Sequence, residues 1–196
     1  MRIVGGALSG RRFEGPRGEV TRPTSERVRE AIASAIESRG GFEGTRVLDL
    51  FAGTGAMLFE ALSRGAILGV AIDRDSRMVR AMTESARELG LADRARIARA
   101  ELGEKGAARA IAAIDAGPFD RVFLDPPYAD AELTTAIVAE LVAAELLAPG
   151  ALVCVEHARR HAPARLDALT QVSDRRYGDT CVVIYQLDPT LGGGPR

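Results

Sequence analysis

The 196-residue sequence contains no tryptophan, only two cysteines and a single lysine, Lys105. Cys154 and Cys181 each lie in an apolar run without a second cysteine or a suitably spaced histidine nearby. They therefore predict small buried side chains, with no disulfide and no metal site. No segment approaches the roughly 18 apolar residues of a membrane span, and the N-terminus lacks the apolar core of a secretory signal. We expect a cytoplasmic, metal-free monomer.

The residues that are present describe a globular chain with an uneven distribution of charge. Apolar residues make up 46% and charged residues 27%, as in folded proteins, and the length fits one domain. The net charge is −1, yet residues 1–29 carry seven arginines against three glutamates, a balance of +4 that leaves −5 for the remainder. This basic segment predicts contact with a polyanion, although a solvated surface would account for the charge equally well.

The first forty residues differ in pattern from the rest. RIVGG and RRFEG are short extended pieces separated by a glycine-containing turn, which predicts a small hairpin. A helix follows, capped by Thr24 or Ser25, with apolar residues on one face. We therefore assign residues 1–40 to an N-terminal extension.

From residue 45 onward, apolar strand segments alternate with helical segments. This alternation predicts a mostly parallel sheet with helices on both faces. Two closing strands around a Tyr-Gly turn predict an antiparallel hairpin at one edge. We expect a doubly wound, Rossmann-like α/β domain with a seven-stranded sheet over residues 41–188 and a disordered tail over residues 189–196. The helix before the fifth strand is predicted to extend through DAELTTAIVAELVAAELLAPG, residues 130–150.

A ligand of such a sheet binds beyond the carboxyl ends of the strands. The first strand runs into LDLFAGTGA, in which Asp49 precedes a loop containing Gly53 and Gly55, and the second strand ends at Asp73. The glycines allow close approach to the backbone, the helix start supplies N–H groups, and Asp73 can accept both hydroxyls of a ribose. The predicted cofactor set is completed by three neighbouring residues: Phe51, Ala52 and Arg74.

The chemistry of this loop favours S-adenosylmethionine (SAM) over a dinucleotide. A dinucleotide fingerprint has a third glycine where this chain has Leu58, so close approach of a pyrophosphate is disfavoured. SAM carries an ammonium, a sulfonium and a ribose but no phosphate. The acidic Asp49 suits its cationic amino-acid part, although a plain turn cap would also explain an aspartate there.

The fourth strand, FDRVFLD, ends in the sequence Asp125, Pro126, Pro127 and Tyr128. The two prolines stiffen the turn, and Pro126 restricts Asp125 to an extended backbone. The Asp125 carboxylate and the Pro126 carbonyl can then accept both N–H groups of a nucleobase amine, while Tyr128 offers a ring for stacking. We predict that these four residues form the catalytic site, at the same sheet edge as the cofactor loop. The same four residue types serve adenine N6 and guanine N2, so the base stays open.

Four segments together resemble the RsmD family, which methylates N2 of one guanine in 16S rRNA with SAM. They are RIVGGALSGRRFEGP with TRPTSERVREAIASAI, VLDLFAGTGAMLFEALSRGA, FDRVFLDPPY and RRYGDTCVVIY. The resemblance covers nearly the whole chain, and the early TRPT segment is its most specific part. It implies the small ribosomal subunit as partner and an N-terminal segment that contacts RNA. Those contacts would fall on six arginines: Arg2, Arg11, Arg12, Arg22, Arg27 and Arg29.

This sequence departs from the family pattern at three places. Ser85 replaces an asparagine, which predicts the loss of a polar contact, and Met57 to Phe59 replace a smaller run. Glu101 occupies the region of the expected adenine contact, although Ala100 or Leu102 could align there instead.

Three other functions remain to be weighed. They are adenine-N6 methylation of DNA or another RNA, a non-catalytic RNA-binding assembly factor, and an NAD-dependent dehydrogenase.

Overall fold

The computed structural model describes residues 1–16, 25–103, 106–114, 116–126, 131–158, 166 and 168–190. The chain divides into two compact units, Met1–Ala100 and Glu101–Arg196. The predicted boundaries at residues 40 and 188 stay predictions. Among the described residues, no helix is both long and apolar enough to cross a membrane.

The first unit contains the N-terminal arm, which we define as residues 1–16, followed by alternating helices and strands. The predicted hairpin in the arm is a single antiparallel bridge between Arg2 and Arg12. The predicted helix begins after Ser25, whose Oγ accepts a hydrogen bond from the Val28 N–H at 3.3 Å. The elements are α1 Glu26–Glu37, β1 Arg46–Leu50, α2 Ala56–Ser63, β2 Leu68–Asp73, α3 Ser76–Glu88 and β3 Ala95–Arg99.

The second unit ends in a long antiparallel hairpin. Its elements are α4 Ala107–Ala112, β4 Phe119–Leu124, α5 Ala131–Ala143, β5 Leu147–Ala158, β6 Leu169–Tyr177 and β7 Thr180–Leu187. The predicted extension of α5 to residue 150 is wrong, because the chain turns left-handed at Glu145, with φ of 54°. The Leu146 N–H then closes the helix end on the Leu141 carbonyl at 3.0 Å, and Leu147 already belongs to β5.

The seven strands form a mostly parallel sheet with an antiparallel hairpin at one edge, which confirms the predicted doubly wound α/β fold. In the first unit the order is β3-β2-β1, and both pairs are parallel. In the second unit the order is β4-β5-β7-β6, with β4 and β5 parallel and the two remaining pairs antiparallel. In β1 and β4 most residues are buried, as expected for strands covered on both faces.

The two cysteines differ in exposure. Cys154 is buried in β5, as predicted, whereas Cys181 in β7 is only half-buried, and both are free thiols. Burial raises the pKa of the Cys154 thiol, and the negative charges of Glu156 and Asp125 raise it further. No cluster of potential metal ligands occurs within the part of the chain that the structure describes.

Candidate functional site

Asp49 is a buried polar residue near the end of strand β1. It is 5% exposed, and its Oδ2 accepts a hydrogen bond from the Leu58 N–H at 3.0 Å. The carboxylate therefore ties the end of the strand to the first turn of α2, where backbone N–H groups lack partners within the helix. A negative charge at this helix start is also favoured by the helix dipole.

The loop between β1 and α2, residues 51–55, is left-handed at three positions. The φ angles are 60° at Phe51, 53° at Gly53 and 74° at Gly55. A Cβ added at Gly53 would meet no atom within 4 Å, whereas one at Gly55 would lie 2.9 Å from the Met82 Sδ. The two glycines thus have different roles, since Gly53 leaves open space above the backbone and Gly55 allows close packing.

Asp73 links the end of β2 to the same loop. Its Oδ2 accepts the Gly53 N–H at 2.8 Å and its Oδ1 accepts the Asp75 N–H at 2.8 Å. The Ala52 N–H also bonds to the Ile72 carbonyl at 3.1 Å. The structure thus brings Asp49, Gly53 and Asp73 into one connected arrangement within the first unit. Each Asp73 oxygen uses one acceptor position for these bonds and retains another.

Three of the remaining predicted cofactor residues lie in or next to this loop within the first unit. Phe51 and Ala52 are half-buried in the loop, and Arg74 is exposed after β2. The Arg74 carbonyl accepts a hydrogen bond from the Arg99 Nε at 3.0 Å. Glu101 is exposed and belongs to the second unit, so its adenine contact stays a prediction.

Leu58, at the position of the missing third glycine, is fully buried. A Cβ added at Gly69 in β2 would lie 2.3 Å from the Leu58 Cδ1. The glycine that permits close helix–strand packing is therefore on the strand, and the leucine fills the space above it. Phe59 is also buried and makes an edge-to-face contact with Phe13, with ring centroids 5.0 Å apart.

The second unit contains the predicted catalytic segment. Asp125 follows the buried end of β4 and is exposed, while Pro126 is buried. Pro127 and Tyr128 lie outside the described residues, so their predicted roles stay predictions. The Asp125 side chain is therefore accessible to solvent at the end of β4, while Pro126 packs inside the second unit.

Five of the six predicted RNA-contacting arginines fall into three groups. Arg12 and Arg27 are exposed, and Arg22 lies outside the described residues. Arg2 is exposed and forms an ion pair with Glu26 at 2.8 Å, and the Arg11 Nη2 donates to the Glu88 carbonyl at 3.1 Å.

Arg29 departs from the prediction. It is 1% exposed, and its Nη2 donates to the Arg2 carbonyl at 2.6 Å. Burial lowers the pKa of Arg29, and the charges of Glu60 and Glu26 oppose that shift. The guanidinium therefore stabilises the arm from inside and presents no surface to a polyanion, so Arg29 is excluded from the RNA-binding proposal below.

The residues that hold the arm against α2 were not predicted from the sequence. Glu60 and Ser63 are 0% and 4% exposed and bind backbone groups of residues 4–8. A glutamate within the apolar run AMLFEALS is the signal that could have identified the first of them. Ser85, at which the loss of a polar contact was predicted, does make one, because its Oγ donates to the carbonyl of Glu14, 71 positions earlier in the chain, at 3.3 Å.

Relatives of this chain match it over 65% to 95% of its length. The family model described as Conserved hypothetical protein 95 matches residues 1–186. YlbH of Bacillus subtilis, named as a candidate rRNA methyltransferase, is 33% identical over 187 residues, covering 95% of this chain and 98% of that protein. Ribosomal RNA small subunit methyltransferase D of Escherichia coli is 32% identical over 132 residues, covering 65% of this chain and 60% of that protein.

A solved structure shares the architecture. YhhF of Escherichia coli, named as a candidate methyltransferase, superposes with a TM-score of 0.81 at 26% identity and covers 96% of this chain and 98% of its own. The structural similarity therefore extends over nearly the whole chain.

Proposed function

Because this chain belongs to the Conserved hypothetical protein 95 family, the RsmD family, we propose that it methylates the exocyclic N2 amine of a guanine in 16S rRNA with SAM. Two relatives are named for rRNA methylation, and the name of the second specifies the small subunit. The observation that carries the proposal is the Asp49–Gly53–Asp73 arrangement, since its carboxylate oxygens and the open backbone at Gly53 suit the cationic part and the ribose of SAM.

The residues of this arrangement fit a cationic ligand with a ribose and no phosphate. Asp49 places a buried negative charge beside the loop, which favours an ammonium or sulfonium. Gly53 has open space above its backbone, and the remaining acceptor positions of Asp73 suit ribose hydroxyls. When bound, SAM supplies an electrophilic methyl group attached to a sulfonium.

Asp125 and Pro126 orient the acceptor in this proposal. The exposed Asp125 carboxylate and the Pro126 carbonyl accept the two N–H groups of the guanine amine, which directs the nitrogen lone pair toward the methyl carbon. The proline at position 126 limits the backbone of Asp125 and so reduces the cost of holding that geometry. Tyr128 is proposed to stack on the extruded base. A tuned general base is unnecessary, because the methylated nitrogen loses its proton readily after transfer.

The exposed arginines of the N-terminal region, Arg2, Arg11, Arg12 and Arg27, are proposed to contact rRNA phosphates. Deleting residues 1–22 would not test this cleanly, because Ile3 and Phe13 are 1% and 2% exposed and belong to the core. Arg12→Glu changes only an exposed charge. We expect it to weaken rRNA binding, with a shallower dependence on salt concentration, and to leave SAM affinity unchanged.

The test of the proposed function is mass mapping of methylated nucleosides in rRNA from cells with and without this chain. The expected result is the loss of one N2-methylguanosine from 16S rRNA. Loss of N6-methyladenosine from any RNA or DNA would instead support the adenine enzyme. Unchanged rRNA together with impaired subunit assembly would support the non-catalytic factor, and thermal stabilisation by NAD but not by SAM would support the dehydrogenase.

Asp125→Ala separates catalysis from binding. We expect this variant to lose methyl transfer by at least about a hundredfold in kcat while binding SAM normally, because one of two acceptors that orient the amine is gone. Asp125→Asn keeps one acceptor oxygen and should retain intermediate activity. Asp179→Ala, an exposed aspartate in the β6–β7 turn of the same unit, is the matched control. Normal turnover by Asp125→Ala would eliminate the proposed role.

A further inference from the structure

The N-terminal arm is bound to α2 through a buried carboxylate. Glu60 is 0% exposed. Its Oε2 accepts the Val4 N–H at 2.8 Å, and its Oε1 accepts the Gly5 N–H at 2.8 Å. These bonds join residues 55 and 56 positions apart in sequence, so one side chain fixes the start of the chain against the helix.

The charge of Glu60 strongly favours the attached position of the arm. A buried carboxylate is costly unless hydrogen bonds and an opposite charge compensate it. Arg64 supplies the charge, with its Nε and Nη2 each 2.8 Å from the Glu60 Oε1. The two arm N–H groups supply further hydrogen bonds, and hydrogen bonds to a charged acceptor are stronger than neutral ones. Release of the arm would remove two of these hydrogen-bond donors from the carboxylate.

Ser63 and Gly6 provide further contacts between the arm and α2. The Ser63 Oγ donates to the Gly5 carbonyl at 2.6 Å and accepts the Leu8 N–H at 2.9 Å. The Ser63 carbonyl accepts the Ala7 N–H at 2.7 Å. A Cβ added at Gly6, where φ is 78°, would lie 2.0 Å from that carbonyl oxygen. The arm can pack this closely only with glycine at that position.

The same arm reaches the cofactor loop at its other end. Phe13 packs edge-to-face on Phe59, and a Cβ added at Gly15 would lie 3.1 Å from the Thr54 Cγ2. The Met1 ammonium donates to the Phe13 carbonyl at 2.7 Å, which ties the two ends of the arm together. The position of the arm is therefore determined at both ends by α2 and the loop that precedes it.

We propose that Glu60 is a positioning residue for rRNA binding. By binding the Val4 and Gly5 N–H groups to α2, Glu60 fixes the positions of the exposed side chains of Arg2, Arg11 and Arg12. The inference rests on the proposed function, because it takes the small ribosomal subunit as the polyanion that these arginines meet. Glu60 itself touches neither rRNA nor the methyl donor.

Two variants disrupt the attachment by different means. Glu60→Gln keeps the size of the side chain but turns one acceptor into a donor, so either Val4 or Gly5 loses its hydrogen bond. Gly6→Ala inserts a methyl group against the Ser63 carbonyl and leaves Glu60 intact. Gly10→Ala is the matched control, since Gly10 is also left-handed, with φ of 84°, but has no atom within 4 Å of an added Cβ.

The experiment measures three quantities on the full-length chain. They are hydrogen exchange at the Val4 and Gly5 amides, the Kd for small ribosomal subunits from cells lacking this chain, and kcat with the KM for SAM at saturating subunits. For Glu60→Gln and Gly6→Ala we expect faster exchange and a subunit Kd raised about tenfold, the equivalent of one charge-assisted hydrogen bond. The kcat and the KM for SAM should stay within about twofold of the wild-type values, because those steps do not depend on the arginines. Gly10→Ala should match the wild type in Kd.

Several results would overturn the inference. Unchanged amide exchange would show that Glu60 does not hold the arm, and faster exchange with unchanged subunit Kd would show that arm position is irrelevant to binding. A parallel loss of kcat and SAM affinity would identify a general structural role. Wild-type protein that binds subunits without methylating them would refute the proposed function alone, whereas a wild type that does not bind them would also overturn the role of Glu60.

Discussion

Alanine substitutions at Gly53 and Gly55 should separate ligand access from packing in the cofactor loop. Both glycines are left-handed, with φ of 53° and 74°, so an alanine at either position carries the same kind of backbone strain. They differ in their surroundings, because an added Cβ meets nothing within 4 Å at Gly53 but lies 2.9 Å from Met82 and 3.2 Å from Phe59 at Gly55. Met82 and Phe59 are both fully buried and have little room to move.

The expected magnitudes follow from these distances. Left-handed alanine costs about 1–2 kcal/mol of folding free energy, and overpacking a full core adds about 1–3 kcal/mol. In a domain of this length, about 1 kcal/mol corresponds to a Tm shift of roughly 2–4 °C. Gly53→Ala should therefore lower the Tm by roughly 2–8 °C, and Gly55→Ala by roughly a further 2–12 °C.

The two substitutions should affect SAM affinity in the opposite order. Gly53→Ala should weaken SAM binding more, whereas Gly55→Ala should lower the Tm more. If the methyl donor approaches the backbone at Gly53, the added methyl group occupies its path, and the Kd for SAM should rise at least about tenfold. Gly90→Ala provides the control, since Gly90 is left-handed with φ of 72° and open surroundings but lies at the end of α3. It should lower the Tm about as much as Gly53→Ala and leave SAM affinity unchanged.

Thermal unfolding and calorimetric titration with SAM measure both effects on the same samples. Equal Tm values for Gly53→Ala and Gly55→Ala would refute the packing argument at Gly55. Equal SAM affinities for Gly53→Ala and Gly90→Ala would refute the assignment of the loop to the methyl donor.

Two further predictions concern single side chains of the second unit. Because burial raises the pKa of Cys154, a thiol reagent at pH 8 should modify the half-buried Cys181 first and Cys154 only on unfolding; equal rates, followed by mass spectrometry, would contradict this. Hydrogen bonds from the Ala108 and Gly106 N–H groups lower the pKa of Glu140 below its ordinary value of 4.5. Its contribution to stability is thus complete above that value and is lost as the pH falls through the lower folded-state pKa. In urea unfolding, Glu140→Gln should be less stable than the wild type at pH 7 and closer to it at pH 3; an identical difference at both pH values would show that the carboxylate charge is irrelevant.

Local patterns in the sequence were sufficient to predict the succession of elements and the glycine-containing loop between β1 and α2. The alternating apolar segments predicted the seven strands, Thr24 or Ser25 was the predicted helix cap, of which Ser25 is the cap observed, and the Tyr-Gly turn predicted the closing hairpin. These features depend on residues a few positions apart, and backbone propensity and periodicity act over that range. The end of α5 was misplaced because the left-handed turn at Glu145 falls on a residue type that usually continues a helix.

The amino-acid sequence by itself determined the α/β alternation and the glycine-containing loop with Asp49 and Asp73. Only the tertiary structure decided that Arg29 points inward, that Glu60 holds the N-terminal arm, and that Gly55 packs against Met82 while Gly53 stays open. Those outcomes join residues that are far apart in the chain, and the burial of a charge depends on partners that no local pattern specifies.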